Sequence, residues 1–340
     1  MDEVVFEPRQ KFDYKADGKI FYDVIIIGSG VVGLSAGMYA GRLGLKTLVI
    51  GEIYGGTITL THVVENYPGF VSLSGPKLAE LMLKHAMDYD IDIMNSKVDK
   101  IEIYKNSDKK HRFEIFSQGK KFNSKTIIFA TGSKWKKLNV KGEKEYENRG
   151  VSYCALCDGA LFKGKTVGVV GGSDSAVKEA LLLTEYAKKV YIIYRGEKIH
   201  PEPINLDRAK KMIKKGKIEI INNTNVIEIK GDGEKINSVV FDKTYRGKKD
   251  FKLDGLFVDI GHIPLSDLAK DVGVKINDKS EIIIDRKSDT NIKGFYAAGD
   301  VTDTEFKQAI TGVGEAVHAV YSVYEYVNNG EFILPVGDGE

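Results

Sequence analysis

Phe21-Tyr22-Asp23-Val24-Ile25-Ile26-Ile27-Gly28-Ser29-Gly30-Val31-Val32-Gly33 is an apolar run that stops on a glycine cluster and continues as a small-residue stretch through Leu43. The pattern predicts a buried strand, a glycine turn and a helix, and Lys46 to Ile50 supplies the next strand. Together they make a βαβ unit of about 30 residues with the dinucleotide-binding spacing G-x-G-x-x-G. Gly28 permits the tight turn, Gly30 lets backbone approach a pyrophosphate, and Gly33 lets the helix pack close on the strand. The acid that would meet a ribose at the end of the second strand is Glu52, 24 residues after Gly28.

A second unit of the same kind follows. Thr166-Val167-Gly168-Val169-Val170 reads as its strand, Gly171-Gly172-Ser173-Asp174-Ser175-Ala176 as the turn, Val177 to Ala187 as the helix and Val190 to Tyr194 as the next strand. Between the units lie a helix with apolar residues at Leu78, Leu81, Met82 and Ala86, and a strand Thr126 to Ala130 that ends in Thr131-Gly132. Beyond the second unit, strands are expected near Glu219, Ile227, Val239 and Leu253 to Ile260. The turn Gly261-His262-Ile263-Pro264 marks a domain crossover. Near the end, Gly294 to Asp300 closes a short strand on a glycine and an acid. A helix is expected after it, with apolar residues at Phe306, Ala309, Ile310, Val313, Ala316, Val317, Val320 and Tyr324.

The only two cysteines stand together as Cys154-Ala155-Leu156-Cys157, followed by Asp158. A Cys-x-x-Cys pair closes a small ring, holds one thiolate at lowered pKa and places the other as resolving nucleophile. The structural alternatives are half a zinc site or inert core thiols. Zinc wants four ligands, and with six dispersed histidines and no further cysteine the chain offers no obvious metal set. Asp158 is either an acid-base group beside the dithiol or a turn aspartate before Gly159.

Composition bounds the rest. A chain of 340 residues, 42% apolar and 29% charged, is long enough for about two to three domains with their own cores. No stretch approaches the ~18 to 20 apolar residues of a membrane span. The start, with Asp2, Glu3, Glu7 and Arg9, lacks the basic and apolar regions of a secretory signal, so a reducing, cytoplasmic setting is expected. Lys and Arg number 50 against 48 Asp and Glu and are scattered, which leaves no footprint for nucleic acid or an anionic membrane.

The glycine motif, Glu65-Asn66-Tyr67-Pro68-Gly69, Ala130-Thr131-Gly132, Ser152-Tyr153-Cys154-Ala155-Leu156-Cys157-Asp158-Gly159 and Ala297-Ala298-Gly299-Asp300, in this order, resemble the low-molecular-weight thioredoxin reductases, class II pyridine nucleotide-disulfide oxidoreductases. The resemblance spans about residues 20 to 325. It implies an α/β protein of two Rossmann-like, three-layer domains of the FAD/NAD(P)-binding type, the second inserted into the first. The boundaries expected are an N-terminal extension over 1–20, an FAD-binding domain over 21–137 and 262–328, a nicotinamide-type domain carrying the dithiol over 138–261, and a tail over 329–340.

By the same resemblance FAD lies along Gly28, Ser29, Gly30 and Gly33, then Gly51, Glu52, Gly55, Gly56 and Thr57, then Asn66, Thr131 and Gly132, and finally Gly299, Asp300, Lys307, Gln308 and Ala309. Cys157 faces the flavin, Cys154 attacks the thioredoxin disulfide, and Asp158 is the acid-base residue. A nicotinamide cofactor would use Gly171, Gly172, Ser173, Asp174, Ser175 and Arg195. Here the chain departs from the family pattern: Ser173 stands where a third glycine is usual, and Tyr194-Arg195-Gly196 with His200 replaces most of an arginine cluster. A 2'-phosphate is best held by planar bidentate arginines.

The function expected is thus a flavin-dependent thioredoxin reductase. Its donor is left open among NADPH, NADH, reduced ferredoxin and a deazaflavin, and a non-catalytic flavoprotein is a third reading. Thioredoxin or a similar protein disulfide is the partner. A homodimer is expected, as is domain rotation, because the dithiol has to meet flavin and partner in turn.

Overall fold

The computed structural model describes residues 20–104 and 112–328, so the extension expected over 1–20, Ile20 apart, and the tail expected over 329–340 lie outside the described residues. The chain divides into two compact units, Met1–Lys134 with Pro264–Glu340, and Trp135–Ile263.

In the first unit β1 (Phe21–Ile27) leads through the glycine turn to α1 (Val31–Arg42) and β2 (Thr47–Gly51). There follow α2 (Gly75–Met87), β3 (Asp92–Asn95), β4 (Lys100–Ile103), β5 (Phe113–Ser117) and β6 (Lys120–Phe129). The sheet runs β3-β2-β1-β6-β5-β4, parallel from β3 to β6 and antiparallel from β6 to β4. Side chains alternate across it. Val24 and Ile26 of β1 join Leu34, Ala36 and Ala40 of α1 in one core, and Ile25 and Ile27 join Phe113, Ile115 and Phe129 in the other. A strand buried on both faces has to be apolar throughout, which is why β1 reads as a continuous hydrophobic run.

Short strands β7 (Ser133–Trp135) and β16 (His262–Pro264) pair at the chain's two passages between the units. In the second unit β8 (Val151–Ser152) precedes the one-turn helix α3 (Ala155–Asp158) and a βαβ unit of β9 (Thr166–Val170), α4 (Asp174–Leu183) and β10 (Lys189–Ile193). Next come α5 (Pro203–Lys214), β11 (Ile218–Ile221), the antiparallel meander β12 (Val226–Gly231), β13 (Ile236–Tyr245) and β14 (Lys248–Lys252), and β15 (Gly255–Val258). The parallel sheet order is β11-β10-β9-β15-β8. The return to the first unit carries α6 (Asp267–Asp271), β17 (Phe295–Ala297), which pairs with the end of β6, and the long α7 (Ala309–Val327). Among the described residues no helix is long and apolar enough to cross a membrane.

Two helices differ from their expected spans. The periodicity predicts Val177 to Ala187, but α4 starts at Asp174, because the Ser173 hydroxyl accepts the Ala176 N–H at 3.4 Å and opens the helix three residues earlier. It ends at Leu183, after which the Glu185 and Tyr186 amides fold back on the Leu182 and Leu183 carbonyls. The final helix begins at Ala309 and leaves Phe306 exposed in the preceding loop. There the Lys307 ammonium donates to the carbonyls of Asp300 and Thr302 and holds the loop closed.

Glycine is required where helix meets strand. Gly28 has φ +114° and its carbonyl lies so close to Gly33 that a β-carbon on Gly33 would collide with the oxygen. Gly33→Ala is therefore expected to destabilise the protein by about 3 kcal/mol in denaturant titration. Gly314, inside α7 with open space at its β-carbon position, is the control: Gly314→Ala should stabilise by up to about 1 kcal/mol.

Candidate active site

The redox pair is built by the first turn of α3. Cys154 is extended, with φ −146° and ψ 102°, and caps the helix through its sulfur, which accepts the Cys157 N–H at 3.1 Å. Cys154 and Cys157 are disulfide-bonded. Cys154 is 7% exposed, whereas Cys157 is an exposed residue. Of the two sulfurs, that of Cys154 is the one placed at the start of α3 to accept a backbone N–H.

Asp158 ends the same turn. Its carboxylate accepts the Ser152 hydroxyl at 2.6 Å, and the Ser152 oxygen accepts the Cys154 N–H at 3.1 Å. Buried Ser152 therefore ties the acid to the backbone of the first cysteine. On the other side Tyr153 stacks on Trp135 at 6.4 Å between ring centres, with the Lys137 ammonium over its face. The Tyr153 hydroxyl donates to Glu143 at 2.9 Å, and burial followed by that bond pushes its pKa up. Glu143 in turn accepts the N–H groups of Leu138 and Asn139, at 2.8 and 2.6 Å.

A third acid reaches the pair from α4. Glu179 accepts the Ala155 N–H at 3.3 Å through Oε1, whereas its buried Oε2 has no hydrogen-bond partner. Beyond β15 lies Asp259, 6% exposed, with Oδ1 likewise unpartnered. Burial and the neighbouring Asp259 push Glu179 up to about 8. Burial also raises Asp259, opposed by the Ser175 hydroxyl and His262. Sequence reasoning missed Ser152, Glu143, Glu179 and Asp259. The one legible signal was Glu179, which falls three residues after Ala176 and four before Leu183, on the apolar stripe of its helix.

The second glycine turn sits in the same unit. Gly171, at φ +152°, lies against the Asp259 carbonyl, and Gly172 against the Tyr194 ring. Ser173 caps α4, and Asp174 accepts Glu202 N–H and the Asn205 amide, each at 2.8 Å. Ser175 and Arg195 are exposed; the Tyr194 hydroxyl lies 3.4 Å from His200 Nδ1, and Gly196 accepts the Asn223 N–H at 2.9 Å.

The first unit gathers the residues expected for FAD. Gly30 begins α1 with no side-chain cap and no acid in its first turn, and faces Gly55 and Gly56 across a bridge closed by Gly55 N–H to Ser29 at 2.8 Å. Gly51 packs against Ser29, while Glu52 and Thr57 are exposed. Asn66 donates to Gln308 at 3.0 Å, and Gln308 begins α7, again with no side-chain cap. Thr131 donates to the Leu265 carbonyl at 2.8 Å, Gly132 at φ +68° has open space beside it, and Glu315 accepts the Gly299 N–H at 2.7 Å. Asp300 and Ala309 flank the loop closed by Lys307, whose ammonium also pairs with Glu281 at 3.1 Å. By contrast, α2 is capped by its own Ser74. Two uncapped helix starts beside glycines leave free N–H groups for an anionic dinucleotide, so these residues fit FAD.

Known proteins resemble this chain along most of its length. The family model described as pyridine nucleotide-disulphide oxidoreductase matches residues 22–316. The chain is 38% identical over 308 residues to the thioredoxin reductase of Bacillus subtilis (strain 168), covering 90% of this chain and 95% of that protein. Among solved structures, the Lactococcus lactis thioredoxin reductase (FR conformation) is similar with TM-score 0.84 and 38% identity, over 91% of this chain and 99% of that one. The T. acidophilum thioredoxin reductase follows with TM-score 0.83 and 37% identity, over 90% and 98%.

The raised Glu179 has a consequence for stability. The folded state holds this proton from the ordinary carboxyl value of 4.5 up to about 8, so it binds more protons than the unfolded chain and loses stability as pH rises through that window. Thermal melts should show Glu179→Gln gaining on wild type between pH 5 and pH 9, with the difference flat below about pH 4.

Proposed function

The chain belongs to the pyridine nucleotide-disulphide oxidoreductase family, and from that premise we propose that it is a flavin-dependent thioredoxin-disulfide reductase. The observation that carries the reading is the Cys154–Cys157 disulfide at the start of α3 with Asp158 in the same turn. Thioredoxin reductases match it over nine-tenths of its length. Family membership implies FAD and a pyridine-nucleotide reductant.

The residues that would hold FAD are the Gly28 to Gly33 turn with the start of α1, the Gly51 to Thr57 segment, Asn66, Thr131, Gly132, Gly299, Asp300 and the start of α7 from Lys307 to Ala309. Bound FAD supplies a two-electron carrier between the reductant and the dithiol. On the protein side, opening the bridge leaves Cys154 with the Cys157 N–H directed at it, which favours thiolate there. That thiolate attacks one sulfur of the thioredoxin disulfide and displaces the other as a thiolate. Cys157 then attacks Cys154, re-forms the bridge and releases reduced thioredoxin. Asp158, held by Ser152, stands where it can deliver and take back the protons that accompany these exchanges. The FAD-binding and nicotinamide-type roles of the two units, a homodimeric assembly and a cytoplasmic setting belong to the same proposal.

A second reading keeps the disulfide chemistry and changes the donor to NADH, reduced ferredoxin or a deazaflavin. It is favoured by the second glycine turn, where Ser173 already occupies the Ala176 N–H and Asp174 brings a carboxylate to the first turn of α4. Both features oppose an anion at that helix start.

Two measurements test these readings. Cys157→Ser should keep its flavin absorbance yet lose thioredoxin-dependent turnover by at least about a hundredfold; full retention would leave a non-catalytic flavoprotein. Anaerobic mixing with each donor in turn, followed at the visible flavin band, identifies the reductant, and rapid bleaching by NADPH would remove the second reading.

A further inference from the structure

Thiol exchange at the dithiol leaves buried Asp259 and half-buried Glu179 unused. Glu179 and Asp259 each carry a buried oxygen without a hydrogen-bond partner, and the Glu179 carboxyl touches the residue next to Cys154. Two carboxylates that act on each other where water is largely excluded cannot both ionise cheaply, so burial and the Asp259 charge favour a proton on Glu179.

We propose that Glu179 is a positioning residue of the redox pair, one whose carboxyl, backed by Asp259, fixes the first turn of α3 through Ala155 and stays protonated when a thiolate forms at Cys154. The inference rests on the redox reading of the cysteines. Reduction breaks the S–S bond, takes two electrons from the reductant and takes up one proton, leaving one thiol and one thiolate. Negative charge then builds on sulfur, one residue from the carboxyl. A thiolate and an ionised Glu179 so close together repel, so each suppresses the other's formation. With Glu179 neutral, the sulfur is the single new charge at the start of α3, where the Cys157 N–H receives it.

Other titratable groups lie on α4, on elements packed against it and beyond β15. On α3 these are Asp158 and, once the bridge opens, the cysteines. Asp259 stands beyond β15, with His262 past it. Asp174 opens α4 itself, and α5, which also packs on α4, brings Arg208, turned toward Asn205 of its own helix at 3.2 Å. Asp259 is the group whose charge acts on Glu179, and His262 acts on Asp259 in the opposite sense. Burial and Asp259 together keep Glu179 protonated at neutral pH.

The test is an infrared titration of the flavin-loaded protein, following the C=O stretch of protonated carboxyl. A band should persist at pH 7 in the oxidised protein, fade with a midpoint near 8 and vanish in Glu179→Gln, which keeps an acceptor for Ala155 but holds no titrating proton. Reducing the bridge with dithiothreitol should move that midpoint up by about one pH unit, the reciprocal of the thiolate's effect on the carboxyl. Asp259→Asn should move it down. Absence of the band at pH 7, its survival in Glu179→Gln, or a midpoint unmoved by reduction would each overturn the proposal. None of these readouts requires thioredoxin, so a failed titration is distinguishable from a failed reductase assignment.

Discussion

A helix can lie directly on the strand that precedes it only if nothing projects between them, and in the first unit that condition rests on Gly33 against the Gly28 carbonyl. With that contact in place, α1 comes down on the face of β1 that carries Val24 and Ile26, and its start points out of the turn with its N–H groups free. The opposite face is then left for Ile25, Ile27 and the cluster of Phe113, Phe129 and Phe295. One missing methyl thus settles both the depth of the core and the polarity of the cradle beside it.

The same strand-turn-helix plan, used twice, yields two different electrostatic settings. In the first unit the helix starts of α1 and α7 are uncapped and acid-free, and glycines or small loops surround them. In the second unit α4 caps itself with Ser173 and opens on Asp174, while Asp259 is buried and Glu179 carries one buried oxygen. The first arrangement attracts an anionic cofactor. The second gathers acids near the dithiol, where protonation state matters most.

That charge is managed locally. Ser152 binds Asp158 to the Cys154 backbone, Glu143 is consumed by two backbone N–H groups and Tyr153, and Glu179 answers Ala155. Each acid near the cysteines therefore has a partner that fixes its position. Of these acids and Asp259, Glu179 and Asp259 are the two with a buried oxygen that has no hydrogen-bond partner, and burial pushes the pKa of both upward.

The amino-acid sequence alone determined the α/β class, both glycine turns and the redox character of the Cys154-Cys157 pair, because each is written in short-range pattern: a continuous apolar run in a strand buried on both faces, a glycine where backbone must approach, two thiols one turn apart. It also misplaced the start of α7, since apolar spacing at Phe306 carries no trace of the Lys307 contacts that keep the loop from becoming helix. What tertiary structure decided was which polar side chains meet. Glu179 and Asp259 lie 22 and 102 residues beyond Cys157, and Glu143 lies 11 residues before Cys154; nothing local announces that they surround the pair. Burial and long-range contact set their protonation, and those are properties of the folded chain and not of any window of its sequence.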